Sequence, residues 1–168
     1  VQSREQAERI AQRIRYPRPP CQAGLRGLRG SAFSTRAAGF GAFGGPGHTD
    51  RSNEGLAFIA MLETPEAIDA AAEIAGVDGV DAVFIGPNDQ AHSMGHQNRW
   101  QDEEVQRAIE RAVRAIVSAG KCAGVLTLDL ASRQKYGEWG ARYAANVASS
   151  LIMKAFEQAA GAQTQIRY

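Results

Sequence analysis

Residue types that mark specialised protein classes are scarce in this chain. It has only two cysteines, Cys21 and Cys122, which lie far apart and so argue against a disulfide-stapled scaffold or a cysteine-ligated zinc site. We expect both thiols to be free, as in a reducing, cytoplasmic environment. No uninterrupted run of about eighteen apolar residues occurs, so the sequence predicts no membrane-spanning helix.

Neither sign of charge predominates. Lys and Arg number 19 and Asp and Glu number 18, which gives a formal net charge of +1 and argues against a protein that binds nucleic acid through charge. Arginines nevertheless concentrate between Arg4 and Arg36, where acids are few. We interpret that stretch as a solvent-exposed face plus a loop, and a site for a phosphate or a CoA tail is the alternative.

Motifs of several enzyme classes are also missing. The chain contains no Gly-x-Ser-x-Gly nucleophile elbow and no Walker-type phosphate loop. The glycines from Gly39 to Gly44 have the spacing of a dinucleotide-binding turn, but they follow no predicted strand and open no predicted helix. We therefore interpret them as part of an irregular, glycine- and arginine-rich region over residues 20–55.

Helical and strand patterns alternate outside that region. Ser3 begins a capping-box pattern, and apolar residues at helical spacing follow it until the prolines of residues 17–20. Later helices are predicted after Thr64, which would bury Ala67, Ile68, Ala71 and Ala72, after Asp102, over residues 132–139, and from Ser149 or Ser150. The predicted strands are residues 56–62, 82–85, 123–128 and 141–147. This alternation predicts an α/β fold with a parallel sheet.

Two carboxylates follow consecutive predicted strands. Glu63 comes directly after the first strand, and Asp89 comes four residues after the second. The carboxyl ends of parallel strands share one rim, where α/β proteins place their chemistry. Two carboxylates at that rim favour an oxygen-ligand site for a hard divalent cation, although an acid after a strand also serves as a helix cap.

The segments around these acids resemble a known family. Residues 61–67, 79–89 and 93–95 are similar to the HpcH/HpaI aldolases, which are class II pyruvate aldolases related to the citrate lyase beta subunit. The resemblance implies a (β/α)8 TIM barrel and a homo-oligomer that acts on a small 2-oxo acid. It also implies Mg²⁺, or Mn²⁺ or Co²⁺, at Glu63 and Asp89, and a pyruvate carboxylate held by Gly86, Pro87 and Asn88.

The length of the chain departs from that family. An eight-stranded barrel needs about 250 residues, whereas this chain has 168 and shows about four to five strand–helix units. We interpret residues 1–168 as a single, partial barrel domain that corresponds to the C-terminal portion of the family. The catalytic histidine base and an arginine of the family map to no residue of this chain, so no catalytic residue is assigned.

Other polar residues have weaker interpretations. His92 and His96 are predicted to lie in a loop, as a rim contact or a solvent-facing pair, and His48 lies in the glycine-rich region. Asp129 is predicted to face solvent or to support the acidic rim. Gln90 stands where the family usually has leucine.

Three functions therefore remain open from the sequence. The first is metal-dependent retro-aldol cleavage of a hydroxylated 2-oxo acid to pyruvate and an aldehyde. The second is a non-catalytic pseudoenzyme that binds a partner. The third is a CoA-ester lyase of the malyl-CoA or citrate lyase beta type.

Overall fold

In a computed structural model, four parallel strands and the helices that connect them make up the described part of the chain. The structure describes residues 1–20, 23–31, 34–42 and 47–161, so Cys21 and part of the dinucleotide-like glycine pattern lie outside the described residues. The strands are β1 (Ile59–Leu62), β2 (Ala82–Ile85), β3 (Cys122–Leu126) and β4 (Tyr143–Ala145). The helices are α1 (Arg4–Ile14), α2 (His48–Glu54), α3 (Pro65–Asp69), α4 (Ala71–Ala75), α5 (Pro87–Ser93), α6 (Glu103–Ser118), α7 (Leu130–Glu138) and α8 (Ala148–Ala160).

The strands lie in the sheet in the order of the chain, β1–β2–β3–β4, and every neighbouring pair is parallel. Leu62 pairs with Ile85, and Ile85 pairs with Val125, so the ends of the first three strands are level. This arrangement confirms the predicted α/β fold. It also puts the residues that follow each strand at one rim.

One face of the sheet carries the hydrophobic core. Because strand side chains alternate between faces, Leu62 and Val83 point to the helices and are buried against residues such as Ile109 of α6. The opposite face is open, and Ile59 and Met61 of β1 are each 43% exposed there. Burial of each large aliphatic side chain contributes roughly 1.5–3 kcal/mol, so the helix-covered face anchors the sheet.

A glycine in β3 permits an aromatic contact across the open face. The rings of Phe84 and Tyr143, on the two strands that flank β3, lie 5.4 Å apart between centroids. A Cβ atom at Gly124 would lie 2.7 Å from Cδ1 of Tyr143 and 2.8 Å from Cδ2 of Phe84. No larger residue fits at this position without displacing the two rings.

The region predicted to be irregular contains two helical segments, so that prediction was wrong for them. A 3₁₀ helix spans Arg36–Gly41, and α2 follows the second glycine cluster. The sequence of α2 is polar, so it has no apolar periodicity to reveal it. Its buried residue is Asn53, whose side-chain amide accepts from the Tyr16 N–H at 2.8 Å and donates to the Tyr16 carbonyl at 3.0 Å.

Several predicted boundaries also need correction. The helix after Thr64 is interrupted at Ala70 into α3 and α4, and Ala72 is exposed, whereas Ile74 is buried. Strands β1 and β4 are shorter than predicted, and α8 begins at Ala148 rather than after Ser149 or Ser150. Asp129 is exposed, as predicted, and its carboxylate also caps α7 by accepting from the Ser132 N–H at 2.7 Å.

Across the described ranges, no helix combines the length and the hydrophobicity needed to cross a membrane.

Substitution of Asn53 by alanine is expected to destabilise the fold. The change would leave the N–H and C=O of Tyr16 without partners in a buried position, at a cost of roughly 2–4 kcal/mol in the free energy of unfolding. Urea denaturation of the Asn53→Ala variant measures this effect, and the Asn98→Ala variant is the control because Asn98 is exposed. Equal stability of the two variants would show that the Asn53 bridge is dispensable.

Candidate functional site

The candidate site lies where β1 and β2 end. The N–H of Gly86 donates to the Leu62 carbonyl at 3.1 Å, which continues the parallel pairing one step beyond the last strand residues. This bond brings the half-buried Glu63 alongside the buried Gly86. The register of the two strands sets this geometry, and the side chain of Glu63 does not contribute to it.

The carboxylate of Glu63 occupies space that a side chain at position 86 would take. A Cβ atom at Gly86 would lie 3.1 Å from Oε1 and 3.2 Å from Cγ of Glu63. Any other residue would therefore push the Glu63 side chain aside by a few tenths of an ångström. Glycine at this position allows the carboxylate to lie over the backbone of the neighbouring strand end.

Asp89 belongs to a helix that the sequence analysis did not predict. The helix α5 begins at Pro87, which suits a first helical position because proline lacks an N–H, and Asp89 lies in its first turn. Pro87 is buried, whereas Asn88 and Asp89 are exposed. At the other end of α5, the Ser93 hydroxyl donates to the backbone carbonyl of Glu63 at 3.0 Å, which ties the helix back to the end of β1.

Glu63 and Asp89 offer carboxylate oxygens with no competing partner. Among the described residues, neither side chain forms a hydrogen bond or an ion pair. No group of three His, Cys, Asp or Glu side chains is placed to hold a metal within those same residues. Two free carboxylates at one rim suit a hard cation such as Mg²⁺, which takes one or two protein carboxylates and fills its remaining positions with water and substrate.

A cavity of about 230 Å³ adjoins the segment that follows β2. Pro87 and Asn88 form one side of it, and Trp100, Leu126 and Leu128 form the other. Its walls are mostly apolar, and they include Leu126, the last residue of β3. The structure thus brings the predicted substrate-binding segment next to an apolar recess.

The structure confirms some of the histidine predictions and corrects others. His48 begins α2 and packs edge-on against Tyr16, with ring centroids 5.9 Å apart, so it lies away from the acidic rim. His92 lies in the helix α5 and is exposed. The prediction of a loop was therefore wrong for His92 and correct for His96.

His96 is paired with two carboxylates rather than facing solvent. Its Nδ1 lies 2.7 Å from Oδ2 of Asp102, and its Nε2 lies 3.2 Å from Oε2 of Glu104. The hydrogen bond with Asp102 is the main cause of a raised pKa for His96, and Glu104 adds to it. The backbone N–H of His96 donates to the Ala91 carbonyl at 2.8 Å, so this residue joins the end of α5 to the start of α6.

The amino-acid sequence is similar to those of aldolases. The profile of the HpcH/HpaI aldolase/citrate lyase family matches residues 1–153. A hydroxypyruvate/pyruvate aldolase of Cupriavidus necator is 51% identical over 63 residues, which are 38% of this chain and 23% of that protein. A 2-keto-3-deoxy-L-rhamnonate aldolase of Klebsiella pneumoniae is 44% identical over 63 residues, 38% of this chain and 24% of that protein. The matched stretch is thus about a quarter of the length of these curated relatives.

Solved structures show the same fold. A HpcH/HpaI aldolase/citrate lyase family protein from Burkholderia cenocepacia superimposes with a TM-score of 0.85 at 30% identity, over 95% of this chain and 61% of that one. A HpcH/HpaI aldolase from Desulfitobacterium hafniense gives 0.74 at 25% identity, over 95% and 60%. The four-stranded unit is therefore of the barrel type that the sequence predicts.

The His96 cluster is expected to make stability depend on pH. Because the folded state raises the pKa of His96, its contribution is complete below the ordinary histidine pKa of about 6.5 and is lost as pH rises through the raised value. Denaturation of the wild type and of His96→Gln at pH 5.5 and 8.5 should show the larger difference at pH 5.5. The exposed His92→Gln is the control, and an equal effect of His96→Gln at both pH values would contradict the prediction.

Proposed function

The chain belongs to the HpcH/HpaI aldolase/citrate lyase family, and on that premise we propose that it acts as a metal-dependent carbon–carbon lyase. The reaction is the retro-aldol cleavage of a hydroxylated 2-oxo acid to pyruvate and an aldehyde. The observation that carries the proposal is a pair of carboxylates without a partner among the described residues: Glu63 directly after β1, and Asp89 in the first turn of the helix that follows β2. Relatives that are named as aldolases for pyruvate, hydroxypyruvate and a 2-keto-3-deoxy acid support this substrate class.

Glu63 and Asp89 would hold the cation, which is Mg²⁺ or the similar Mn²⁺ or Co²⁺. When bound, such an ion supplies Lewis acidity that stabilises negative charge on the oxygens of a 2-oxo acid as the carbon–carbon bond breaks. The two carboxylates fix the position of that charge relative to the strand ends. Gly86 keeps the space above its Cα open for the Glu63 side chain.

The segment after β2 would bind the carboxylate of the substrate. The Gly86 N–H already donates to Leu62, and Pro87 has no N–H, so these two residues shape the segment without donating to a ligand. The N–H groups of Asn88 and Asp89 lie in the first turn of α5, where the helix offers no acceptor. The backbone of Asn88 is therefore the donor we assign to the substrate carboxylate.

The apolar cavity next to this segment would receive the other half of the substrate. It lies between Pro87 and Asn88 on one side and Trp100 and Leu126 on the other, and its volume of about 230 Å³ suits a few carbon atoms. Apolar walls stabilise the carbon chain of an aldehyde by removing it from water. An aldehyde with a short carbon chain fits this recess best.

The proposal also includes a homo-oligomer. None of the residues of α8 is buried, and Leu151, Ile152, Met153 and Phe156 are each more than half exposed. Apolar surface of this kind on a helix is typical of a contact between protein chains. We assign α8 to an interface between copies of the chain.

Loss of either carboxylate is expected to weaken metal binding. Glu63→Gln and Asp89→Asn should each lower the affinity for Mn²⁺ at least about tenfold, because each removes one charged ligand. Titration of free Mn²⁺ by electron paramagnetic resonance measures this loss. Glu66→Gln is the matched control, since Glu66 is an exposed carboxylate three residues further along the chain, in the first turn of α3.

The chemistry is tested in the same variants. The wild type should exchange the methyl protons of pyruvate with deuterium in D₂O, as followed by proton NMR, and EDTA should stop this exchange. Exchange that persists in Glu63→Gln and in Asp89→Asn would refute the assignment of the site. Equal Mn²⁺ affinity in all three variants would do the same.

Polar substitutions on α8 are expected to dissociate the oligomer. Phe156→Asp combined with Leu151→Asp places two charges in the assigned interface, so the double variant should elute as a monomer with an unchanged circular dichroism spectrum. Size-exclusion chromatography with light scattering gives the mass. A monomeric wild type would contradict this part of the proposal.

A further inference from the structure

A second cavity lies between α7 and the last two strands of the sheet. It measures about 460 Å³, within the range of about 300–1,000 Å³ that is usual for small-molecule sites. It has no lining residue in common with the recess beside Asn88, and neither Glu63 nor Asp89 lines it. The cavity is therefore separate from the site proposed for the lyase reaction.

The cavity is open because the helices cover β4 only in part. Val125 of β3 and Tyr136 of α7 belong to the buried core, whereas Ala144, the middle residue of β4, is exposed. No residue of α8, the helix that follows β4, is buried, so α8 does not fill the space beside α7. A ligand from solvent can therefore reach the cavity.

Arg142 points to the side of the sheet on which α7 lies. The ring of Tyr143 packs against Phe84 on the open face, and side chains alternate along a strand, so Arg142 and Ala144 point to the other face. The backbone N–H of Arg142 donates to the Ala123 carbonyl at 3.0 Å, which keeps this residue in the strand pairing. Arg142 accordingly lines the cavity.

Arg133 lies on the flank of α7 that borders the cavity. It precedes Gly137 by one helical turn, and both residues line the cavity. On α6, the exposed Arg114 pairs with Glu110 one turn away at 2.7 Å. The equivalent neighbours of Arg133 are Asp129, whose carboxylate instead caps α7, and Gly137, which has no side chain. The helix thus leaves Arg133 without an acidic partner.

The side chains that a ligand can reach are cationic or neutral. Neither guanidinium, of Arg133 or of Arg142, forms a hydrogen bond or an ion pair with the described residues, and both side chains are exposed. Asn146 is exposed as well, whereas the hydroxyls of Thr127 and Tyr136 are buried and already hydrogen-bonded. None of the described residues that line the cavity is acidic. The cavity therefore favours an anion.

We propose that this cavity binds a small organic dianion, whose charged oxygens pair with the guanidinium groups of Arg133 and Arg142. A guanidinium presents its N–H donors in a planar fork that matches the oxygens of a carboxylate or a phosphate. Asn146 supplies a further donor, and Ala141 and Ala144 pack against the carbon skeleton. Dicarboxylates and phosphate monoesters share this chemistry. The site goes beyond the proposed lyase function and does not depend on it.

NMR titration of the metal-free chain with succinate and with methyl phosphate tests the proposal. At about pH 7.5 both ligands are mainly dianions. The backbone amide signals of Gly137 and Arg142 should shift and saturate at a millimolar Kd, as expected for such small ligands. The tighter of the two assigns the site to dicarboxylates or to phosphate monoesters. Acetate, with a single charge, should bind at least about tenfold more weakly.

Loss of either cavity arginine is expected to weaken binding. Arg133→Gln and Arg142→Gln should each lower the affinity for the tighter dianion at least about fivefold, because each removes a charge-assisted partner. Both side chains are exposed, so the variants should fold as the wild type does. Arg111→Gln is the matched control, since it removes the same charge from an exposed arginine that lies outside the cavity.

A side chain at position 137 should block the cavity without removing any charge. A Cβ atom at Gly137 would meet no other atom within 4 Å, so Gly137→Leu extends into free space, and leucine also has the higher helix propensity. This variant should lower the affinity at least about tenfold, whereas Gly137→Ala, which adds only a methyl group, should bind nearly as well as the wild type.

Three results would overturn the proposal. They are the absence of saturable shifts with both dianions, wild-type affinity in Arg133→Gln and Arg142→Gln, and wild-type affinity in Gly137→Leu. Acetate that binds as tightly as the dianions would refute the assigned class of ligand. Without a metal, Glu63 and Asp89 repel anions, so the result is independent of the lyase assignment.

Discussion

The parallel pairing of β1 with β2 is the constraint on which the rest of the candidate site depends. The Gly86-to-Leu62 hydrogen bond of 3.1 Å sets the end of one strand level with the end of the other. A slip of one residue would turn Leu62 away from the helices and Glu63 toward them. Exposing the buried face of the sheet would cost free energy, and this cost fixes the position of the Glu63 carboxylate, which forms no hydrogen bond or ion pair with the described residues.

The helix α5 is held in place by contacts at its ends rather than by its length. It has seven residues, too few for a stable isolated helix. Pro87 begins it directly after the strand, the Ser93 hydroxyl ties its last turn to the Glu63 backbone, and the His96 N–H satisfies the Ala91 carbonyl. These contacts fix the position of Asp89 relative to Glu63, although the two acids do not contact each other directly.

The sequence predicts the features that local patterns encode and misses those that depend on tertiary contacts. The bounds of β2 were predicted correctly because a buried parallel strand is a short, continuous apolar run. The helix α2 was missed because its stability comes from Asn53 and the backbone of Tyr16, 37 residues away. The pairing of His96 was missed because Asp102 and Glu104 lie six and eight residues further along the chain, across a turn that no local pattern encodes.

Two neighbouring residues of α5 differ completely in exposure. Successive helical side chains are separated by about 100°, so exposure of Asp89 is compatible with complete burial of Gln90. Asp89 carries a charge that solvent stabilises, whereas burial of the Gln90 amide costs free energy unless the amide is hydrogen-bonded. Folding alone therefore favours an apolar side chain at position 90 and a charged one at position 89, and the exposure of Asp89 leaves its carboxylate accessible to a ligand.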